Sequence, residues 1–401
     1  MIKGKIILGA VITVTVFINN ACSQKKQEPE LTQLKFSVEE SPEWSSLFIR
    51  RHGWLGGDGI FMLTMDGNEQ LGAAAKSNTL LWFSDTQLGD VVNNTLASKD
   101  TLVINNSMAV LQGDKPDSSA IRFYWNEQAN GAPAAVFKPS TPLSKPGEYY
   151  WLSDAFVNTA MNKDIYLFGY RVKSTPGVPG FGFAVTGNTL IHIPAGDKPP
   201  FIKQKQLDIP FFPEKDVDSA GAIGAGIFVN TKEAGAKDAD GYVYIYRVKG
   251  GAVLVCRVLP EAIEKFDQWK CWNGKEWVSD MYAAKPVADR SSNEMSVTAL
   301  GDGRYLMVFQ IDGIGNKVCA RLGASPAGPF GPIIELYDAS GSLAGSKHMY
   351  VYNAKAHPVI SKPGELLISY NINSADYFND IKKMPNFYRP RFIKLKYELN
   401  K

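Results

Sequence analysis

The run Leu300-Gly301-Asp302-Gly303-Arg304-Tyr305-Leu306-Met307-Val308-Phe309-Gln310-Ile311 joins a glycine-rich turn to an apolar, aromatic stretch of strand length. Gly and Asp favour the turn, and large apolar side chains suit a buried pleated surface. The same unit recurs at Asp66 to Thr86, Met161 to Val172, Asp238 to Val248 and Lys362 to Ile372. An upstream strand precedes each unit, at Gly56 to Met65, Glu148 to Val157, Gly221 to Asn230, Asn293 to Leu300 and Ala354 to Ile360. Five such pairs predict an all-β fold, a five-bladed β-propeller in one domain. A long 3.6-residue apolar stripe is missing; Leu259 to Trp269 reads as one or two helical turns. Neither a Greek-key break nor a short fixed period supports a β-sandwich or a β-helix.

Composition agrees with this reading. The 401 residues include 36 Gly, 23 Pro, 21 Phe and 17 Tyr, and 45% are hydrophobic, which provides a sizeable core and excludes disorder and collagen-like structure. Lys and Arg number 43 against 40 Asp and Glu, a net +3 without polyelectrolyte character, so a nucleic-acid partner is not expected. Tyr388-Arg389-Pro390-Arg391-Phe392 reads as an edge strand closing the propeller rather than a basic patch.

The N-terminal end reads as an address. Lys3 and Lys5 precede the apolar run Ile6 to Ile18, too short for the roughly 20 residues of a spanning helix, and Ala21-Cys22 is followed by polar residues. A small residue before Cys resembles a bacterial lipoprotein cleavage site, although Asn19 and Asn20 depart from it. The expected layout is a signal peptide over 1–21, a polar tether over 22–40 with lipid on Cys22, and the propeller over 41–401. The protein is then exported, as an outer-membrane or periplasmic lipoprotein held to the membrane by its anchor. Of the other cysteines, Cys256 and Cys271 can pair if their strands are neighbours, leaving Cys319 as a thiol; alternatively all three are small buried hydrophobes. Without a CxxC pair, zinc is not expected.

No nucleophile-elbow, HExxH, P-loop or dinucleotide motif occurs, and no metal or organic cofactor is expected. Acidic residues at Gly-rich or aromatic strand starts stand out instead. The first strand of every propeller blade lines the central channel, so its polar residues converge although distant in sequence. Glycoside hydrolysis needs such convergence: one carboxylic acid protonates the leaving oxygen while a second carboxylate activates water or attacks the sugar. The candidates are Asp58 in Trp54-Leu55-Gly56-Gly57-Asp58-Gly59, Asp85 in Phe83-Ser84-Asp85-Thr86, Asp154 in Leu152-Ser153-Asp154, and Glu294 in Asn293-Glu294-Met295. Trp54 offers a face for a sugar ring, and Asn106, His357 and Asn371 offer hydroxyl contacts. Each has a structural alternative, whether a turn-forming Asp, an amide satisfied at a strand end or a core histidine. For Trp269, Trp272 and Trp277, core packing is preferred over a stacking platform.

The succession GWLGGDG, LWFSDT, INNSM, WKCWNGKEW, NEMSV, SPAGPFGP, AKAHP and YRPRF resembles exported five-bladed propellers of the domain of unknown function 4185 type or its relative 5005, over roughly residues 45 to 395. More distantly it resembles the arabinanase and levansucrase-like glycoside hydrolases. The 4185 resemblance implies an endo-D-arabinanase acting on arabinogalactan and lipoarabinomannan, with Asp58 and Asp85 at the family's acidic positions. The distant relatives imply an acid at Glu294. Two departures stand out: Ser84 where the family often has Gly, and an insert from Gln70 to Asn78 between the blade-one strands. Membership of the 5005 side carries no assigned activity. The expectation is a hydrolase of a polysaccharide, arabinofuranose-containing, with Asp58 as base or nucleophile, Asp85 or Glu294 as acid and Asp154 as an orienting carboxylate. Its rivals are a non-catalytic glycan-binding lipoprotein serving an uptake system and a protein-interaction propeller.

Overall fold

The computed structural model describes residues 1, 30–97, 102–176, 182–211, 221–343 and 346–399. Cys22, the signal segment and most of the tether lie outside the described residues. Among the described residues, five larger antiparallel sheets follow one another along the chain; sheets two to four are meanders of sequential strands, whereas sheet one skips the segment between Phe83 and Ser107. Sheet one comprises Phe61–Thr64, Thr79–Phe83, Ser107–Leu111 and Ile121–Tyr124. Sheet two comprises Glu148–Val157, Ile165–Ser174, Phe183–Ile193 and Lys205–Asp208. Sheet three begins with Ala222–Asn230, Tyr242–Lys249 and Ala252–Val258 and continues through Lys270–Trp272 and Trp277–Val278. Sheet four contains Ser291–Ala299, Tyr305–Ile311, Lys317–Gly323 and Ile334–Asp338; sheet five contains Met349–Ala356, Glu365–Ser374 and Arg391–Tyr397. A smaller sheet, His52–Gly57 with Thr86–Val92, stands beside sheet one.

Consecutive sheets stack face to face, which is why their second strands are buried at consecutive positions rather than at alternate ones. In Tyr305–Ile311, for example, every residue but the two ends is buried. Leu306, Val308 and Leu322 of sheet four meet Val351, Ile368 and Ile372 of sheet five. Leu63 and Trp82 of sheet one meet Leu152 and Leu167 of sheet two. Met62 and Phe83 of sheet one also meet Leu367 and Phe392 of sheet five. The first strands of sheets two to five lie side by side in order, and that of sheet two also contacts Phe61–Thr64. The result is a propeller-like arrangement around a common centre.

The fifth sheet is completed from the other end of the chain. Phe36–Glu40 pairs antiparallel with Arg391–Tyr397, with Val38 opposite Leu395. The tether expected to run to residue 40 therefore ends earlier. FSVEE is short and mostly exposed, so its polarity hides its strand character. The first strand of sheet five also falls earlier than the sequence suggests, ending at Ala356. Pro358 opens the turn Pro358–Ile360 because its ring cannot supply a ladder N–H.

Cys256 and Cys271 stand directly opposite each other in sheet three and form a disulfide. Cys319 is free and buried, and burial pushes its thiol up to about 11. Trp269 is core, and Trp272 packs on Trp277 at 5.3 Å between ring centres. The disulfide closes a loop with a sequence separation of 15. Cross-linking a loop of that length restricts the unfolded chain by about 3 kcal/mol. The double variant Cys256→Ala with Cys271→Ala should lower the unfolding free energy in urea by about that amount. An unchanged midpoint would mean the bridge does not form in the purified protein.

Candidate active site

Two local devices deliver acidic side chains to one place. The first is the β-bulge, which inserts an extra residue into a strand and re-aims its side chain. The first strands of sheets two, four and five shift register between Leu152 and Ala155, Ser291 and Met295, and Tyr352 and Lys355. Those bulges hold Asp154, Glu294 and Asn353. Sheet three has the same shift between Ile223 and Gly226, but its Gly224 and Ala225 carry no polar side chain.

The second device is a pair of crossed turns. Ser84 N–H donates to the Asp58 carbonyl at 2.8 Å, and Asp58 N–H donates to the Asp85 carbonyl at 3.3 Å. Glycines permit this closeness. Gly59 has φ +60°, and a Cβ there would lie 2.9 Å from Ser84 Oγ and 3.3 Å from Glu294 Oε1, so Glu294 reaches the turn that carries Asp58. A Cβ on Gly56 would fall 1.6 Å from the Tyr388 carbonyl oxygen. Tyr388 in turn donates its hydroxyl to the Asp85 carbonyl at 3.1 Å, so the C-terminal segment buttresses both turns.

Asp58, Asp85 and Glu294 line one cavity of about 670 Å³, with Trp151, Tyr350 and Tyr352 on its walls. Tyr352 donates to Asp58 Oδ2 at 2.6 Å, while Oδ1 has no hydrogen-bond partner among the described residues. Burial raises the Asp58 pKa, against the opposing influence of Tyr352, Tyr388 and Lys355. Burial, and then the charge of Asp58, pushes Asp85 up to about 7, although Asn105 donates to Asp85 Oδ1 at 3.3 Å. Glu294 is 3% exposed, accepts from Asn353 at 2.7 Å and forms an ion pair with Lys355. Burial nonetheless lifts it to about 7, with Lys355 opposing. The Tyr352 hydroxyl is held well above its ordinary pKa by burial and by Asp58, so it stays a donor.

Other sequence candidates are placed elsewhere. Asp154 spends its oxygens on Ala155 N–H at 2.9 Å and Ile227 N–H at 2.7 Å, tying sheet two to sheet three, and does not line the cavity. Trp54 is 1% exposed, donates to Ser107 and stacks on Phe123 at 4.5 Å, so it offers no face to a sugar. Asn106 is fully buried, bonding the Phe137 and Tyr150 carbonyls and the Phe137 N–H. His357 is 2% exposed against Ser369, and burial followed by the Lys355 charge holds its pKa well below the usual range. Asn371 is buried and donates to the Gly57 carbonyl, one residue before Asp58. These four residues support the fold rather than contact a ligand.

Tyr350, Tyr352 and Asn353 were missed because the fifth upstream strand was read from Ala354 onward; Lys355 lies inside that strand but was given no role. The available signal was the alternation Tyr350-Val351-Tyr352 just before it.

A propeller-like, strand-rich domain with a cavity of clustered carboxyls defines the class. The chain belongs to the family described as Domain of unknown function (DUF5005), matched over residues 42–397. No curated protein matches it. Among solved structures it is similar to a candidate hydrolase from Bacteroides ovatus, with 21% identity over 90% of this chain and 93% of that one and a TM-score of 0.68. The catalytic domain of a Coprinopsis cinerea GH62 α-L-arabinofuranosidase matches at 11% identity over 91% and 97%, with a TM-score of 0.44. An exo-β-1,3-galactanase from Phanerochaete chrysosporium matches at 10% identity over 84% and 60%, with a TM-score of 0.45.

The raised carboxyls have a consequence for stability. A carboxyl near 4 when unfolded and near 7 when folded binds its proton more tightly in the native state. Its contribution is therefore fully present below about pH 4 and is lost as pH rises through about 7. The thermal midpoint should fall across that window. Asp85→Asn cannot ionise, so its fall should be shallower and its midpoint at about pH 8 no lower than that of the unsubstituted protein. An identical slope in the variant would show that Asp85 is not held protonated.

Proposed function

We propose that this chain is an exported lipoprotein whose five-bladed β-propeller hydrolyses glycosidic bonds by a two-carboxylate mechanism. The observation that carries the proposal is the meeting of Asp58, Asp85 and Glu294 in one aromatic-walled cavity. Asp85 suits the general acid: its proton is retained near neutral pH and passes to the glycosidic oxygen as the C–O bond breaks. Asp58 suits the base or nucleophile. Tyr352 fixes one of its oxygens and favours the charged form, leaving the other to take a proton from water or to attack the anomeric carbon. Glu294 has both oxygens committed to Asn353 and Lys355 and serves to set the field beneath Asp58. Trp151 and Tyr350 provide apolar faces for a sugar ring.

The resemblance to the 4185 group makes arabinofuranose-containing polymers the first substrates to test. Purified protein should release oligosaccharides from one member of a panel of D-arabinan, L-arabinan, fructan and xylan. Asp58→Asn should abolish release, and Asp85→Asn should lower kcat by roughly 10²- to 10⁴-fold. Binding to one polymer without release would instead identify a glycan-capture protein. The lipid anchor has its own test, since Cys22→Ala should move the protein from the membrane fraction to the soluble exported fraction. Unchanged membrane association would remove the anchor from the proposal.

A further inference from the structure

The first strand of sheet four begins at the carboxylate cavity, which Ser291 and Glu294 line, and ends at a second cavity of about 300 Å³, the far mouth, which Thr298 and Ala299 line. The segment Gly67 to Gly72, which leads into the insert noted in the sequence, runs past that far mouth. Gly67 packs on Val157 and Thr159 beyond sheet two, Glu69 N–H donates to the Ala234 carbonyl beyond sheet three, and Gly72 N–H donates to the Pro358 carbonyl beyond sheet five. This path brings the Glu69 carboxyl to the cavity that Thr298 of sheet four also lines.

Both residues present polar atoms that the protein does not satisfy. Thr298 is 5% exposed, and among the described residues its Oγ1 has no hydrogen-bond partner; Glu69 Oε1 is likewise buried without one. Burial, with Asp154 and Asp66 nearby, pushes Glu69 up to about 8, so at neutral pH it is an uncharged acid able to donate a proton. Arg304, at the rim, brings no available charge: Asp302 takes Nε and Nη2, and the Glu30 and Gln33 carbonyls take Nη1. Phe228 and Tyr305, edge to face at 5.6 Å, supply an apolar wall. A water occupies about 30 Å³, so the space exceeds what a single bridging water needs. Unsatisfied neutral polar groups opposite an aromatic wall suit a ligand with hydroxyls on a compact carbon frame.

We propose that the far mouth is a second binding site, for a small uncharged polyhydroxyl molecule of monosaccharide or polyol size, held by Glu69 and Thr298. It stands apart from the carboxylate cavity and does not depend on hydrolysis. Calorimetric titration of the purified protein with L-arabinose, D-galactose and glycerol tests it. At least one should bind saturably with a dissociation constant of about 1 mM or tighter. Thr298→Val, which keeps the shape and removes the hydroxyl, should weaken that binding about 5- to 10-fold, and Asp58→Asn should leave it unchanged. Should Thr298→Val fail to fold, Glu69→Ala, in the loop just before the insert, should show the same weakening. No saturable binding by any of the three would overturn the site. Binding lost in Asp58→Asn but kept in Thr298→Val would overturn it too, by locating the sugar in the carboxylate cavity.

Discussion

Lys355 is the charge around which the channel is organised. Its ammonium pairs with Glu294, lies 4.3 Å from the centre of the Phe61 ring, and lowers the pKa of Asp58, Asp154 and Glu294 against the burial that raises all three. The same charge helps keep His357 neutral. Removing a cation and its carboxylate from water costs several kcal/mol each, and their attraction repays this only with good geometry and further hydrogen bonds. A well-packed apolar pair would serve stability at least as well. The arrangement makes physical sense as a means of holding carboxyls close together in a dry place without ejecting them.

The rest of the site follows from that constraint. Carboxyls crowded around one cation cannot all be fully ionised near neutral pH, and their environments differ enough to separate them. Asp85 is the weaker anion of the two: burial and the charge of Asp58 outweigh the donors Asn105, at a long 3.3 Å, and Trp151. Asp58 has the short bond from Tyr352. Two acids on adjacent turns are thereby given different proton affinities, the condition for acid and base to work side by side.

Much of this was legible in the sequence, for definable reasons. The second strands are buried on both faces, so Ile165–Ser174, Tyr242–Lys249 and Glu365–Ser374 carry apolar residues at adjacent positions rather than only at alternate ones. The glycines beside Asp58 read as space for a ligand, and in the structure Ser84 and Glu294 take up that space at Gly59. Bulges were not legible, because register belongs to a pair of strands and a single strand does not encode it. Glu294 was therefore visible as an acid but its partners Asn353 and Lys355 were not. Trp54, Asn106, His357 and Asn371 show the opposite failure. Their side chains have the right chemistry for binding a sugar, but the same chemistry satisfies backbone groups in a core, and only burial distinguishes the two.

The strand Phe36–Glu40 also fixes how the domain hangs from its N-terminal end. Just before that strand the chain passes the carbonyls of Glu30 and Gln33 to Arg304, on the rim of the far mouth. From Cys22 to Glu30 an extended chain reaches at most about 29 Å. If Cys22 carries the proposed lipid, that short reach would keep the membrane on the side of Glu30, Gln33 and Arg304.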